Sequence, residues 1–270
     1  MCLRLGNKMI TSSQNPKVKL VRGLLASKKD REENGLYVIE GVRLAEEALN
    51  AGIKPEFVLF SSHLSDRGLK IIQSLEDNNC EIEETAPELL DRISNTQTSQ
   101  GILIVLPSQK SHPGNSFTFV LVLDMVRDPG NMGTLLRSAA ALGLEAVLVT
   151  PESADPHSPK VMRSAMGAHF KLSISTMNPE EIRTYCKTTN KPALDILLAD
   201  SEKGQVCWKE DLTRPVSLVI GGEATGAGEG LRKIADASVR IPMLDTTESY
   251  NAAVAGSILM YEAYRQRTAK

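Results

Sequence analysis

The sequence predicts an α/β protein of two domains, and three observations lead to this prediction. Short apolar runs of strand length alternate along the chain with segments of helical periodicity. A polar stretch with two prolines and no periodicity, residues 107–116, interrupts the alternation and is predicted to be a linker. With 270 residues, the chain is long enough for two modest domains, predicted at 1–106 and 117–270.

The first domain is predicted to begin with a basic helix. Asn15 followed by Pro16 is a typical helix start, and leucines and valines then recur at helical spacing. Beyond this helix the pattern predicts strands at 36–40, 57–60, 81–84 and 102–106. It predicts helices between them at 41–51, 69–75 and 88–93. This alternation indicates a small α/β layer structure.

The charge is unevenly distributed along the chain. The net charge is -2, yet residues 1–31 contain eight lysines and arginines and one acid, a local excess of 8 − 1 = 7 positive charges. Such an excess fits binding to a phosphate backbone, with Lys17, Lys19 and Arg22 as candidate substrate-binding residues. A solvated basic helix face explains the same pattern equally well, so both interpretations remain open at this point.

Composition excludes several other classes of protein. The mean hydropathy is -0.16 and no apolar run approaches 20 residues, so no membrane span is predicted. The N-terminal residues lack the apolar core of a secretory signal. The cysteines and histidines show no metal-ligand spacing and no disulfide framework, so we expect reduced thiols, a cytoplasmic protein and no metal. These residues are Cys2, Cys80, Cys186, Cys207, His63, His112, His157 and His169.

The second domain is predicted to contain a mostly parallel sheet covered by helices on both faces. The predicted strands are 119–123, 146–149, 196–198, 216–220 and 239–241. The predicted helices are 134–142, 160–166, 231–235 and 251–265, and Asp128–Asn131 is predicted to be a turn. Parallel sheets bind ligands in the loops beyond the carboxyl ends of their strands, so the loops after Leu123, Ile220 and Ile241 are the candidate site.

The loop after Ile220 is rich in glycine, with Gly221, Gly222 and Gly226. It does not match a nucleotide-binding motif, because Leu231 stands where the dinucleotide pattern requires glycine and Ala227 where a phosphate loop requires lysine. Glycine nevertheless allows the backbone to approach a flat ligand and to adopt positive φ. The alternative is a flexible surface turn.

The other two loops carry polar side chains. In the first, Asn131 is expected to cap the following helix, and Arg137, nearly two turns later, is expected to project from roughly the same side. The guanidinium is not needed for packing there and suits a phosphate or another ligand oxygen. In the loop after Ile241, Ser249 or Asn251 is expected to cap the last helix.

Together, the three loops resemble the three motifs of the SpoU (TrmH) family in the SPOUT methyltransferase superfamily. The motif residues present are Asn131, Gly133, Arg137, Gly221, Glu223, Gly226, Ile241, Pro242, Met243, Glu248, Ser249 and Asn251. The segment 158–167 is similar to the family's second helix, and the resemblance covers residues 117–270. The N-terminal part resembles the fused substrate-binding domain, an α/β fold like certain large-subunit ribosomal proteins. Two residues depart from the pattern: Tyr250 replaces a leucine and Ala224 a glycine.

The resemblance implies a deep trefoil knot in the C-terminal domain and a homodimer with S-adenosylmethionine held bent at the subunit interface. It implies methyl transfer to a ribose 2′-hydroxyl of RNA, without a metal. The separate basic N-terminal domain favours ribosomal RNA over transfer RNA as the substrate. A non-catalytic RNA-binding paralogue and a base methyltransferase of the same superfamily are the alternatives, followed by a nucleotide-dependent oxidoreductase.

The resemblance also implies a role for each site residue. Arg137 is the central catalytic residue, interpreted here as an electrostatic clamp on phosphate and oxyanion, because guanidinium stays protonated in proteins. Asn131, Ser249 and Asn251 orient the ribose, and Glu223 fixes Arg137 or Asn131. The predicted cofactor-binding residues are Gly221, Gly222, Gly226, Ile241, Met243, Tyr250, Leu198 and Ala199. Arg163 joins Lys17, Lys19 and Arg22 as a predicted substrate-binding residue.

Overall fold

The computed structural model describes residues 9–94, 99–108, 113–223, 225–244 and 249–269. The chain divides into two compact units, one of residues 1–110 with the short segment 157–159, the other of residues 111–156 and 160–270. Several residues singled out from the sequence lie outside the described ranges: Cys2, His112, Ala224, Glu248 and the central part of the predicted linker, 109–112.

The first unit contains a mixed four-stranded sheet and five helices in its described part. The strands are β1 (Leu36–Glu40), β2 (Phe57–Phe60), β3 (Ile82–Glu84) and β4 (Ile102–Pro107). The helices are α1 (Pro16–Ala26), α2 (Lys28–Asn34), α3 (Val42–Asn50), α4 (Asp66–Asp77) and α5 (Pro87–Ile93). The strand order is β1-β4-β2-β3. Strand β4 is antiparallel to β1 and β2, whereas β2 and β3 are parallel.

Helix α1 begins where the sequence predicts it. The Asn15 side chain accepts a hydrogen bond from the backbone N–H of Lys17, and Pro16 occupies the first turn. Its buried residues belong to the core cluster that also contains Leu59 of β2 and Leu103 of β4. The sequence did not predict α2, because its Lys-Lys-Asp-Arg-Glu-Glu-Asn segment has no apolar stripe and Arg31 is its one buried residue.

The second unit is built on a seven-stranded sheet. The strands are β5 (Phe119–Asp124), β6 (Ala146–Val149), β7 (Ser173–Thr176), β8 (Asp195–Ala199), β9 (Gln205–Val206), β10 (Val216–Gly221) and β11 (Ala237–Arg240). The helices are α6 (Pro129–Ala141), α7 (Pro159–Ala165), α8 (Pro179–Thr184), α9 (Glu229–Ile234) and α10 (Ala252–Thr268). The order is β7-β6-β5-β10-β8-β11-β9 with every pairing parallel, which confirms the predicted parallel sheet.

The central strands of this sheet are buried on both faces, which explains the near-continuous apolar runs of β5, β6 and β10. Along β5, Leu121 belongs to the cluster on one face, together with residues of α6 and α10. Val122 belongs to the cluster on the opposite face, with residues of α8 and α9. Successive side chains of a strand point to opposite faces, so a strand covered on both sides is apolar at most positions. Within the described ranges, no helix has the length and hydrophobicity needed to span a bilayer.

The predicted turn at Asp128–Asn131 is wrong, because these residues begin helix α6. Asp128 is the N-cap, its carboxylate accepts the backbone N–H of Asn131 at 2.8 Å, and Pro129 follows in the first turn. The prediction that Asn131 caps this helix is therefore wrong as well. Asp followed by Pro is a standard helix start, but the two glycines in the first turns of α6 are more typical of a turn.

Three further elements of this unit were not predicted: strands β7 and β9 and helix α8. Strand β7 lies at the edge of the sheet and reads Ser-Ile-Ser-Thr, which lacks an apolar run. Helix α8 has a capping box in which Asn178 and Glu181 each bond the other's backbone N–H, but only Ile182 is buried within the helix. All three elements are short and contain few apolar residues, so the tertiary fold determines them more than local hydrophobic periodicity does.

Candidate active site

A cavity of about 330 Å³ lies at the carboxyl ends of β8, β10 and β11, next to the start of α10. Nine predicted site residues line it: Ala199, Gly221, Gly222, Glu223, Gly226, Ile241, Met243, Ser249 and Tyr250. The sequence did not single out the remaining lining residues: Asp200, Ser201, Ile220, Thr225, Arg232, Ala252, Ala255 and Leu259. The structure thus brings the glycine-rich loop and the loop after β11 to one site.

Leu198 does not line this cavity. It is buried in the core cluster on the face of the sheet that carries α8 and α9, whereas its neighbour Ala199 reaches the cavity at the end of β8. The sequence predicted both residues to contact the cofactor. The alternation of side chains along a strand separates them.

The glycines of the loop after β10 are required by the loop's own packing. The backbones of Gly222 and Gly226 exchange two hydrogen bonds, of 3.1 and 3.0 Å, which close the loop. Gly226 has a φ of 65°, which favours glycine. A Cβ atom on Gly222 would lie 2.1 Å from the carbonyl oxygen of Met125. The loop can therefore come this close to the β5 loop only if residue 222 lacks a side chain.

A chain of side-chain hydrogen bonds connects the three predicted motifs. The Asn251 Nδ2 atom donates to Asn131 Oδ1 at 3.1 Å, and Asn131 Nδ2 donates to Glu223 Oε1 at 2.6 Å. Glu223 also lines the cavity. Asn251 further accepts the backbone N–H groups of Ala253 and Val254, so it is Asn251, of the two candidates, that caps α10. Asn251 therefore caps the helix with its side-chain oxygen and contacts Asn131 with its side-chain nitrogen.

Arg137 lies outside the cavity lining. It is exposed on α6 and has no hydrogen-bond or ion-pair partner among the residues that the structure describes. Six helical residues turn through about 600°, which leaves Arg137 about 120° around the axis from Asn131. The expectation that both project from the same side is therefore wrong. Glu223 bonds Asn131, one of the two partners proposed for it.

Two acidic residues at strand ends, one buried and one half-buried, were not predicted from the sequence as site residues. Asp124, at the end of β5, accepts the Gly228 N–H at 2.7 Å and the Thr150 hydroxyl at 2.9 Å. Asp200 follows β8 directly and lines the cavity. Burial acts to raise the pKa of Asp200, but two backbone N–H donors and the nearby Arg232 lower it overall. Their position immediately after a buried strand was the signal available in the sequence.

The predicted substrate-binding cations differ in their surroundings. In the first unit, Lys17 pairs with Glu81 at 2.7 Å and with Glu83 at 2.6 Å. Burial lowers the pKa of Lys17, but hydrogen bonds to both carboxylates raise it overall. Lys19 and Arg22, also on α1, are exposed and have no ion-pair partner within the described ranges. In the second unit, Arg163 on α7 is half-buried and likewise has no such partner in the described part.

No group of three or more His, Cys, Asp or Glu side chains in the described part of the chain is arranged to hold a metal ion. The described wall of the cavity combines backbone groups, apolar side chains and charged side chains. Two carboxylates, Asp200 and Glu223, and one guanidinium, Arg232, are the charged groups on the described wall.

Comparisons with known proteins cover both units. Residues 118–261 match the SpoU rRNA Methylase family, and residues 15–104 match the MRM3-like substrate binding domain. The 23S rRNA (guanosine(2553)-2'-O)-methyltransferase RlmP of Bacillus subtilis (strain 168) is 30% identical over 94% of this chain and 98% of its own length.

Solved structures show the same fold. The SpoU methyltransferase AviRb from Streptomyces viridochromogenes, solved in complex with AdoMet, has a TM-score of 0.82 and 27% identity over 94% of this chain and 99% of that chain. An rRNA methyltransferase from Sinorhizobium meliloti has a TM-score of 0.83 and 26% identity over 97% of this chain and 99% of that chain.

Proposed function

Because the chain belongs to the SpoU rRNA Methylase family, we propose that it transfers a methyl group from S-adenosylmethionine to a ribose 2′-hydroxyl of ribosomal RNA. The chain of bonds from Asn251 through Asn131 to Glu223 supports this proposal most directly, because it joins three distant motifs beside the cavity. Relatives named as rRNA 2'-O-methyltransferases and a neighbour solved with AdoMet agree with this activity.

The cavity fits S-adenosylmethionine in size and in charge. Its volume of about 330 Å³ lies within the usual range for small-molecule sites, and Ile220, Ile241 and Leu259 form an apolar wall suited to adenine. Asp200 and Glu223 supply negative charge, which complements a ligand carrying sulfonium and ammonium groups. Gly221, Gly222, Gly226, Met243 and Tyr250, together with Ala199, are the proposed cofactor contacts. Leu198 is left out, since it lies in the core.

In this proposal, bound S-adenosylmethionine supplies an activated methyl group, and the protein positions the hydroxyl. Asn131, Ser249 and Asn251 orient the ribose, while Glu223 fixes Asn131 through its short hydrogen bond. Correct placement of the two reactants lowers the barrier by about 7–11 kcal/mol in favourable intramolecular cases. The amides are suited to this task because they are anchored at the helix cap and at the loop.

Arg137 is proposed to bind the phosphate next to the target ribose and to stabilise the oxyanion as it forms. Its guanidinium has no partner in the described part of the protein, so it can bind RNA without first breaking an internal contact. Guanidinium remains protonated, so the proton from the 2′-hydroxyl passes to phosphate or water. Arg137 thus acts through its charge and its fixed donors.

The first domain, proposed to span residues 1–106 ahead of the 107–116 linker, is assigned to RNA binding, and residues 117–270 to catalysis. The match of the first domain to the MRM3-like substrate binding domain supports its assignment to RNA binding. The exposed Lys19 and Arg22 are the proposed phosphate contacts in this domain, and Arg163 is proposed to contribute from the catalytic domain. Lys17 is a weaker candidate, because two glutamates already neutralise it.

The trefoil knot, the homodimer and the cytoplasmic location remain part of the proposal. The knot and the dimer rest on the family resemblance, and the bacterial relatives named for 23S rRNA support the location.

Calorimetric titration of the full chain with S-adenosylmethionine tests the proposal. We expect saturable heat with one site per chain. A titration without heat, on folded protein, would identify a non-catalytic paralogue and refute the proposed activity.

A further inference from the structure

The glycine-rich loop is held from behind by one side chain of the following helix. Arg232 of α9 donates from Nε to the carbonyl oxygen of Ala227 at 2.8 Å, and its Nη2 atom lies 3.4 Å from the carbonyl oxygen of Thr225. The two carbonyls flank Gly226, whose left-handed backbone closes the loop. One guanidinium therefore bridges both sides of the residue on which the loop turns.

The same guanidinium also connects this loop to the neighbouring strand end. Its Nη1 atom lies 3.4 Å from the Asp200 carboxylate, which follows β8. That carboxylate is itself fixed, since it accepts the backbone N–H groups of Glu202 and Lys203 at 2.9 Å. Both Asp200 and Arg232 line the cavity. Through Arg232, two walls of the cavity are linked by side-chain contacts in addition to the sheet.

We propose that Arg232 is a positioning residue that holds the loop at Gly226 and the loop after β8 in the geometry required for cofactor binding. This inference rests on the proposed function of the cavity. A planar guanidinium donates in several fixed directions, so it can serve two carbonyls and a carboxylate at once. Lysine carries the same charge, but its ammonium group lacks this planar arrangement of donors.

The packing around Gly226 supports this role. A Cβ atom at Gly226 would lie 2.9 Å from Arg232 Nη2, so the guanidinium is already close against the loop backbone. Without it, the carbonyls of Thr225 and Ala227 lose their side-chain donor. The loop then retains the two bonds between Gly222 and Gly226 but has no connection to Asp200.

The test compares Arg232→Met, Arg232→Lys and a control, Lys233→Met. Lys233 is the adjacent cation of α9, and its contact is an exposed pair with Glu229 in the same helix. Each variant is titrated with S-adenosylhomocysteine and with 5′-methylthioadenosine, which lacks the amino-acid part. Amide hydrogen exchange at residues 225–228 without ligand gives a second readout, and thermal unfolding verifies that each variant is folded.

We expect Arg232→Met to raise both dissociation constants at least about tenfold and to accelerate exchange in the loop, because hydrogen bonds from a charged donor are lost. The dissociation constants of Arg232→Lys should lie between those of Arg232→Met and the wild type. Those of Lys233→Met should equal the wild-type values. Three outcomes would overturn the inference: a loss confined to S-adenosylhomocysteine, which indicates direct contact with its carboxylate; a lysine variant equal to wild type; or unchanged binding in Arg232→Met. If the wild type binds neither ligand, it is the proposed function that fails.

Discussion

The side chain of Asn251 donates a hydrogen bond of 3.1 Å to Asn131, a residue 120 positions earlier in the chain. Asn251 begins the last helix and Asn131 lies in the first turn of α6. The contact therefore fixes the start of two helices relative to each other and leaves the Asn131 amide free to bond Glu223 at the cavity. The pair of Asn251 and Asn131 therefore takes part in helix capping, in helix packing and in the candidate site.

Asn251→Asp separates the cap from the active-site contact. The carboxylate still accepts the N–H groups of Ala253 and Val254, but it cannot donate to Asn131. We expect wild-type thermal stability and a kcat lowered about tenfold. Asn251→Ala should lose the same activity and about 1 kcal/mol of stability as well. An aspartate variant with full activity would show that the donated bond has no role in orienting the ribose.

Arg137→Ala should nearly abolish methyl transfer while leaving cofactor binding intact. Loss of one preorganised charge-stabilising donor lowers kcat by about 10²–10³-fold in other enzymes. The exposed guanidinium makes no described contact within the protein, so its removal should not change the unfolding temperature. Steady-state methylation and calorimetry measure the two effects separately. Full activity in the variant would rule out the catalytic assignment.

Gly222→Ala should disrupt the cofactor loop. The added Cβ would lie 2.1 Å from the Met125 carbonyl oxygen, a backbone atom that can move only with the β5 loop. Gly228→Ala is the matched control, because its Cβ would meet the flexible Met125 sulfur at 3.1 Å. We expect loss of cofactor affinity in the first variant and a small change in the second, both measured calorimetrically. Equal affinities would contradict the packing account of residue 222.

The basic residues of α1 should fall into two classes. Replacing Lys19 and Arg22 together by alanine should weaken rRNA binding and reduce the slope of log K against log salt concentration by about 1.4–1.8, since each phosphate contact contributes about 0.7–0.9. Lys17→Met should leave the salt dependence unchanged and lower thermal stability, because Glu81 and Glu83 lose their partner. Filter binding across a salt series distinguishes them. If the double substitution left this slope unchanged, the RNA would bind to another surface, and Lys19 and Arg22 would not be phosphate contacts.

Much of this architecture follows from local signals in the sequence. Strands such as β5 and β10 are mostly apolar runs, and the polar or glycine-rich residues that follow them mark the site. The positions of Gly221, Glu223, Ile241 and Ser249 on one cavity follow from this rule together with the family motifs.

Other features depend on contacts that no local pattern reports. In a strand covered on both faces, hydrophobicity does not distinguish Leu198, which faces the core, from Ala199, which faces the cavity. Arg232 contacts Asp200, which lies 32 positions earlier in the chain, so this contact also depends on the tertiary fold. These are tertiary relationships.

The most direct test of the proposed reaction locates the methyl group. The full chain is incubated with unmodified 23S rRNA and S-adenosylmethionine carrying a labelled methyl group; one portion of the product is digested to nucleosides, and another, undigested portion is mapped by partial alkaline hydrolysis. We predict label on a ribose and resistance to cleavage at the adjacent phosphate, lost in Arg137→Ala. Label on a base, or a ribose product that the arginine variant forms equally well, would contradict the account.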